Sequence, residues 1–339
     1  MYFVPQDVLV KVRAIVVADM NHKIQNKNIP KFFSLLGKGS FIMDRYGWLK
    51  FCIVCLSLVS LSVVNCAMAY ADAPWKWEFD LKRDKVMDSI VLPTSLFIDP
   101  KKELYYVVDS GKDRLLSFDK EGELVNIFTA GNSLKDPFDM ARTEDGVIWV
   151  VEKGRNSLTR INLSSREAIP ETIRYKGRLV YPDRLESSGN MLYLLDKASG
   201  SILSLTTDLV PQHTFSCSDC PGGFVDFKLH DQGLYALDQT GKIINIFDLS
   251  GTLTRSIELG DTVIFPVSIA VGPSGFIYVL DRHARNIVVY DGTGVFKYRF
   301  LNHGFSRSGL YYPNEIRFDV WDRLCVTDEG NARVMIFVR

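Results

Sequence analysis

The sequence predicts an all-β fold: a six-bladed β-propeller of four-stranded blades, with the ring closed by an N-terminal strand. Three observations carry this. An apolar and aromatic run ending in an acidic residue recurs six times, at Asp109, Glu152, Asp196, Asp238, Asp281 and Asp328. The spacings are 43, 44, 42, 43 and 47 residues, matching the ~40–50-residue period of a propeller blade. The last repeat stops at Arg339 one strand short, while the alternating segment Trp75–Leu81 has no repeat of its own.

Within each period the elements follow in a fixed order. The first strand opens on Pro or an aromatic: LPTSLFI from Leu92, DPFDMA from Asp136, YPDRL from Tyr181, GFVDFKL from Gly223, FPVSIAV from Phe265 and YPNEIRF from Tyr312. Proline fits the first residue of a strand, where its missing N–H need not enter the ladder. Turns rich in Asp, Asn, Gly and Pro follow, such as TEDG at Thr143 and GPSG at Gly272, because these residues supply turn dihedrals. The second strand is the run that ends in the acidic residue. A basic residue comes next, at Arg114, Arg155, Lys197, Lys242, Arg285 or Arg333. The third strand is LLSFD, LTRINL, ILSLT, IINIFDL, IVVYD or VMIFV, and a fourth, outer strand such as LVNIF completes the blade. Trp75–Leu81 is expected to pair outside Val334–Val338 and so cover an exposed edge.

The repeat resembles those of NHL-repeat propellers of bacterial, exported type. The fifth copy carries most of the likeness: Ile269-Ala270-Val271, Gly275-Phe276-Ile277-Tyr278-Val279, Asp281, then Arg285-Asn286-Ile287. The sixth keeps Asp328, Asn331 and Arg333. The fourth departs, with Gly241-Lys242 where Asn and Arg are expected and no proline at its start. The resemblance covers roughly residues 75–339 and implies the fold; such propellers host many functions.

Residues 51–71 form the one long apolar stretch, preceded by Arg45 and Lys50 and ending in Ala67-Met68-Ala69 and Ala69-Tyr70-Ala71. Read from Met43, residues 43–71 form an export signal with small-residue cleavage sites; the alternative is a membrane anchor. Either sends residues 72–339 across the membrane, to the periplasm or cell surface. Residues 1–42, with net charge +4, read as an over-extended start or a disordered basic tail. Beyond residue 71 the chain holds 32 basic and 37 acidic residues. That balance excludes a nucleic-acid partner and leaves membrane contact to the N-terminal segment.

Cys217 and Cys220 form a Cys-x-x-Cys followed by Pro221. Haem attachment would need His at that position, and zinc would need a second pair. An exported loop disulfide is the expectation. No G-x-S-x-G, H-E-x-x-H or phosphate loop occurs, so no catalytic residue is assigned. Two residues after the opening proline, or its equivalent, stand Ser95, Asp139, Arg184, Asp226, Ser268 and Glu315. Innermost strands line the channel. Asp139, Asp226 and Glu315, from alternate blades, are therefore a candidate Ca²⁺ or Mg²⁺ set, against local pairing with Arg184 or Arg317. The linkers between blades and the loops after each acidic residue share a face rich in aromatics and arginine. Arg155, Arg178, Tyr181, Arg282, His283, Arg307, Tyr311 and Tyr312 are the candidate contacts there, since Tyr and Arg anchor binding sites. The reading is an exported, non-catalytic scaffold that takes an envelope protein or small ligand on that face, without a cofactor. The alternative is a divalent-metal-dependent lyase or hydrolase at the channel mouth.

Overall fold

The computed structural model describes residues 75–82, 89–162, 165 and 167–339. The export segment and the basic tail expected in residues 1–71 lie outside the described residues. Among the described residues no helix is long and apolar enough to cross a membrane.

The chain forms six four-stranded antiparallel sheets in sequence order, the blades of a six-bladed propeller. Their innermost strands are Pro93–Asp99, Pro137–Arg142, Pro182–Ser188, Asp226–His230, Pro266–Val271 and Pro313–Phe318. Each is followed by the run that ends in the recurrent acidic residue: Leu104–Asp109, Ile148–Glu152, Met191–Asp196, Gly233–Asp238, Ile277–Asp281 and Leu324–Asp328. In the sixth blade the outermost strand is Lys76–Leu81, paired antiparallel with Arg333–Val338. Leu81 is buried under Val334 and Ile336. Trp75, just before this strand, packs edge-on to Tyr278 and against Phe300. The two ends of the described chain therefore share one sheet and two cores.

The recurrent acidic residue is a bracket for the linker that enters its own blade. Asp109 accepts from the backbone N–H of Val91 and Leu92 (3.0 and 2.9 Å), Asp196 from that of Tyr181 (2.8 Å), and Asp328 from that of Tyr311 (2.8 Å). Glu152 does the same for Lys135, and Asp281 for Ile264 and Phe265. The basic residue that follows holds the carboxylate in place: Arg114 Nε lies 2.8 Å from Asp109, and Arg333 Nε 3.2 Å from Asp328. Buried backbone donors need such acceptors.

The fourth blade, where the repeat departs most, lacks this bracket. Asp238 Oδ1 turns to its own loop at Gly241, and Oδ2 has no hydrogen-bond partner among the described residues. Its linker is pinned differently. The Cys217–Cys220 disulfide (S–S 2.01 Å) sits in it, and Gly223 passes so close to Gly200 that a Cβ would come within 2.4 Å of the Gly200 Cα. Both glycines have positive φ, so no side chain is tolerated at this crossing.

Five of the six innermost strands carry a register shift just after the opening proline: Pro93/Ser95, Pro137/Asp139, Pro182/Leu185, Pro266/Ser268 and Pro313/Glu315. Proline withdraws a donor from the ladder, and the bulge re-aims the next side chain and N–H. The fourth strand, without proline, shows none.

Closure through Lys76–Leu81 sets the first expectation. Leu81→Ala should lower stability by about 2–5 kcal/mol, the usual loss for a fully buried leucine. Urea unfolding is the measurement, and an unchanged midpoint would show that the strand does not hold the ring.

Candidate active site

The side chains two residues after the prolines do line the channel, and their first task is to stitch blades together. Asp139 accepts from Ser95 Oγ (2.5 Å) of the preceding blade and from the Leu185 N–H (2.8 Å) of the following one. Asp226 accepts from Ser268 Oγ (2.6 Å) and the Ile269 N–H (2.9 Å) of the fifth blade. Ser268 Oγ in turn accepts from Ile316 (3.2 Å), and Glu315 from the Leu96 N–H (2.9 Å), which carries the stitching from the sixth blade to the first.

The carboxylates come with internal cations. Lys228 Nζ lies 3.0 Å from Asp226, 3.3 Å from Glu315 and 3.6 Å from Glu186. Arg317 holds Glu186 through both guanidinium ends (2.7 and 3.1 Å) and also reaches Glu315 at 2.8 Å. Arg184 crosses the channel from the third blade to the sixth, donating to Asn314 Oδ1 at 3.0 Å. Burial pushes Glu315 up, but Arg317, Lys228 and Arg184 outweigh it and hold its carboxyl well below the usual range. Burial opposes the charge on Lys228, yet Asp226 and Glu315 raise it above an ordinary lysine. Asp139 goes the other way: burial and the Glu315 carboxylate push it up to about 6, against Arg184 and Ser95.

The metal expectation for Asp139, Asp226 and Glu315 is corrected by this arrangement. Lys228 fills the space between two of the three carboxylates, and backbone N–H groups occupy oxygens that a cation would need. Among the described residues no three His, Cys, Asp or Glu side chains meet as a ligand set. The residues present do not fit Ca²⁺ or Mg²⁺, so no step is built on either.

The network surfaces at one end. A cavity of about 710 Å³ opens on the face of the tight hairpins between the first and second strands of blades. Glu186 and Arg317, the apolar Phe97 and Ile98, and Arg142 and Thr143 are among the residues that line it. Arg142 is ion-paired with Asp99, whose other oxygen accepts from the turn amides of Lys101 and Lys102. Ligand sites fall in the range of ~300–1,000 Å³ with apolar walls and a few convergent polar groups.

This face lies opposite the one that carries the linker residues. Of those residues Arg282, Tyr311 and Tyr312 form one group, and the others make contacts of their own. Arg282 stands over the Tyr312 ring and pairs with Glu329. Tyr311 packs on Tyr312, His303 and Phe305. His283 stacks on Phe265 with ring centroids 4.2 Å apart, and Arg307 covers Trp77 at 3.9 Å. Arg155 is tied to Glu152 and Ser133 beside the second blade, and Arg178 and Tyr181 are exposed at the third. Sequence reasoning missed Glu186 and Lys228 entirely. Both stand two residues beyond the channel position, on the same side of a strand of period two, and a charge at that spacing in a buried strand was the available signal.

No family model matches the chain, and no curated protein matches it significantly. Solved structures do. A virginiamycin B lyase from Staphylococcus aureus matches with TM-score 0.55 and 17% identity, over 72% of this chain and 79% of that one. A catalytically inactive histidine-to-alanine form of such a lyase from the same organism, with quinupristin, matches with TM-score 0.56 and 14% identity, over 78% and 99%. A gluconolactonase from Xanthomonas campestris matches with TM-score 0.59 and 16% identity, over 79% and 95%. At these identities the likeness establishes the fold. It also corrects the expectation of a non-catalytic scaffold, because these similar propellers are enzymes, lyases and a lactonase. No histidine lines the cavity of this chain.

Two expectations follow from the network. Lys228→Met should cost about 3–5 kcal/mol, since it leaves buried carboxylates uncompensated; a loss below ~1 kcal/mol in urea unfolding would contradict the lattice described. The second concerns Asp139. Its folded value of about 6 exceeds the unfolded value of ~3.9. Its contribution is therefore fully present below pH ~4 and lost as pH rises through about 6. Melting temperature should fall between those values, and Asp139→Asn should flatten that part of the profile; an equal slope in the variant would refute the assignment.

Proposed function

We propose that this propeller is a lyase or hydrolase acting on a small molecule with a carbonyl or carboxyl group, bound in the hairpin-face cavity. One observation carries the reading: a ligand-sized cavity whose lining pairs a carboxylate, Glu186, with a guanidinium, Arg317. Proton abstraction beside a carbonyl and attack of water on a carbonyl share two needs. Each requires a base to take a proton and a fixed positive charge where the oxyanion develops. Glu186 is the base and Arg317, with Arg142 in the same lining, supplies the charge. Phe97 and Ile98 exclude water from one side and seat the apolar part of the substrate. Lys228 holds Glu186 in place from beneath. The similar propellers support this class of reaction, since they include lyases and a gluconolactonase.

An extracytoplasmic setting belongs to the same proposal. The apolar segment 51–71 with its small-residue end supports it, as does the Cys217–Cys220 bridge, because disulfides persist in oxidising compartments.

The test is a screen of lactones, esters and β-substituted acids, followed by variants on the substrate that turns over. Glu186→Gln should lower kcat by about 10²–10⁴-fold, the usual contribution of a general base, with its melting transition still cooperative. Arg142→Gln should lower kcat/KM. Turnover that survives Glu186→Gln undiminished would place the chemistry elsewhere.

A further inference from the structure

The opposite end of the channel is built differently. Asp183 follows the opening proline of the third blade, and its two oxygens meet different lysines. Lys153 Nζ lies 2.8 Å from Oδ1, and Lys197 Nζ 3.7 Å from Oδ2. Arg184 stands next in sequence and enters the channel beneath them. Its Nη2 is used on Asn314, while Nε and Nη1 have no hydrogen-bond partner among the described residues. Thr94 Oγ1, on the first blade, is likewise unpartnered, and the Asn314 amide joins it to the same group by donating to the Thr94 carbonyl at 2.8 Å. The Phe138 ring lies against both cations, with Lys153 Nζ 2.9 Å and Arg184 Cζ 4.8 Å from its centroid.

Two lysines thus meet one carboxylate, and Arg184 beside them is shared among Asp226, Asp139, Glu315 and Asp183. Their side chains or residues grade inward from solvent: Lys197 is 64% exposed and Lys153 34%, while Arg184 is 5% exposed. Such a gradient of like charge, walled by an apolar ring, focuses the field on the mouth. Burial lowers the pKa of Lys153 despite Asp183, and the Arg184 and Lys197 charges push the same way. Asp183 itself is held below the usual carboxylate range: burial opposes this, and Lys153 and Arg184 outweigh it. The two lysines therefore carry more positive charge than Asp183 neutralises.

We infer that the linker-side mouth of the channel is a binding site for a small oxyanion, a carboxylate or phosphate group, taken by Lys153 and Lys197 and backed by the buried Arg184 charge. This site is separate from the cavity, because Arg184 spans the channel between them. Ammonium groups suit it as point charges that keep donors free after one contact. Asp183 holds Lys153 at 2.8 Å and leaves Lys197, 3.7 Å away, free to contact a ligand.

The experiment uses two probes, inorganic phosphate and acetate, so that phosphate and carboxylate recognition are read apart. Isothermal titration and thermal shift are run on the full chain at fixed ionic strength. Saturable binding of at least one probe, with a rise in melting temperature, is expected. Lys197→Gln should weaken it about tenfold, as the loss of one charge-assisted contact does, and Lys153→Gln/Lys197→Gln should abolish it. Lys197 is exposed, so its variant reports even if changes deeper in the channel impair folding. Lys102→Gln, on the rim of the cavity, should leave binding unchanged. Glu186→Gln should also leave it unchanged, so failure of the catalytic reading and of this one are told apart. Binding that ignores both lysines, binding lost with Lys102→Gln, or no saturable binding of either probe would overturn the inference.

Discussion

The constraint on which the structure depends is the unsatisfied backbone at the rim of the channel. Six innermost strands converge there, and in five a proline and a bulge take donors out of the ladder. Those N–H groups are buried and cannot go to water, so an acceptor must come from the neighbouring blade. Asp139, Asp226, Ser268 and Glu315 supply it. Three of these four are carboxylates, and a carboxylate buried in a narrow channel must in turn be compensated. Lys228, Arg317 and Arg184 follow from that need. The ion lattice is thus a consequence of strand geometry, and the site inherits it.

This sequence of requirements explains why the channel holds ammonium and guanidinium groups where a divalent cation was expected. Oxygen ligands for Ca²⁺ or Mg²⁺ must converge with free lone pairs. Here the lone pairs point at backbone N–H groups of the next blade or at Lys228. The same compensation leaves Asp139 as the odd member. Among the described residues no cation lies within hydrogen-bonding distance of it, and burial with the Glu315 carboxylate pushes its carboxyl up to about 6. A group with that value changes charge in the neutral range, while Glu315, a few residues' width away in the same channel, stays ionised.

The fold was legible because its signals are local and repeated. The acidic residue that ends each second strand recurs for a backbone reason, the bracketing of a linker, and so it recurs at every blade. Its weakening at Asp238 was legible too, as Gly241-Lys242 in place of Asn and Arg. The site was legible in part. Asp139, Asp226 and Glu315 were found by counting from the proline, and they do share the channel. Glu186 and Lys228 were not found, because each occurs in one blade only, where Ala141 and Ala270 stand in others, and a repeat hides what it does not repeat. The cavity was beyond sequence. Exposed aromatics such as Phe305 and Tyr312 mark the linker side, but the volume of the cavity depends on how hairpin tips from three blades lean together.

Arg184 gives the channel two unlike ends. On the hairpin side, charges are paired: Glu186 with Arg317, Asp99 with Arg142. On the proposed reading, a paired site of this kind admits a neutral or singly charged substrate and offers it a base and a cation at close range. On the linker side, Asp183 faces Lys153 and Lys197, and on the inference drawn above that mouth selects for charge before shape. The residue dividing the ends is the one position in the stitching ring that cannot accept a hydrogen bond, since a guanidinium carries donors alone. The third blade thus gives up a stitch to the fourth. The fourth blade has no bulge in its innermost strand and so exposes no orphan donor for such a stitch to meet. Its missing proline and the arginine before it are two halves of one arrangement, and that arrangement closes the channel.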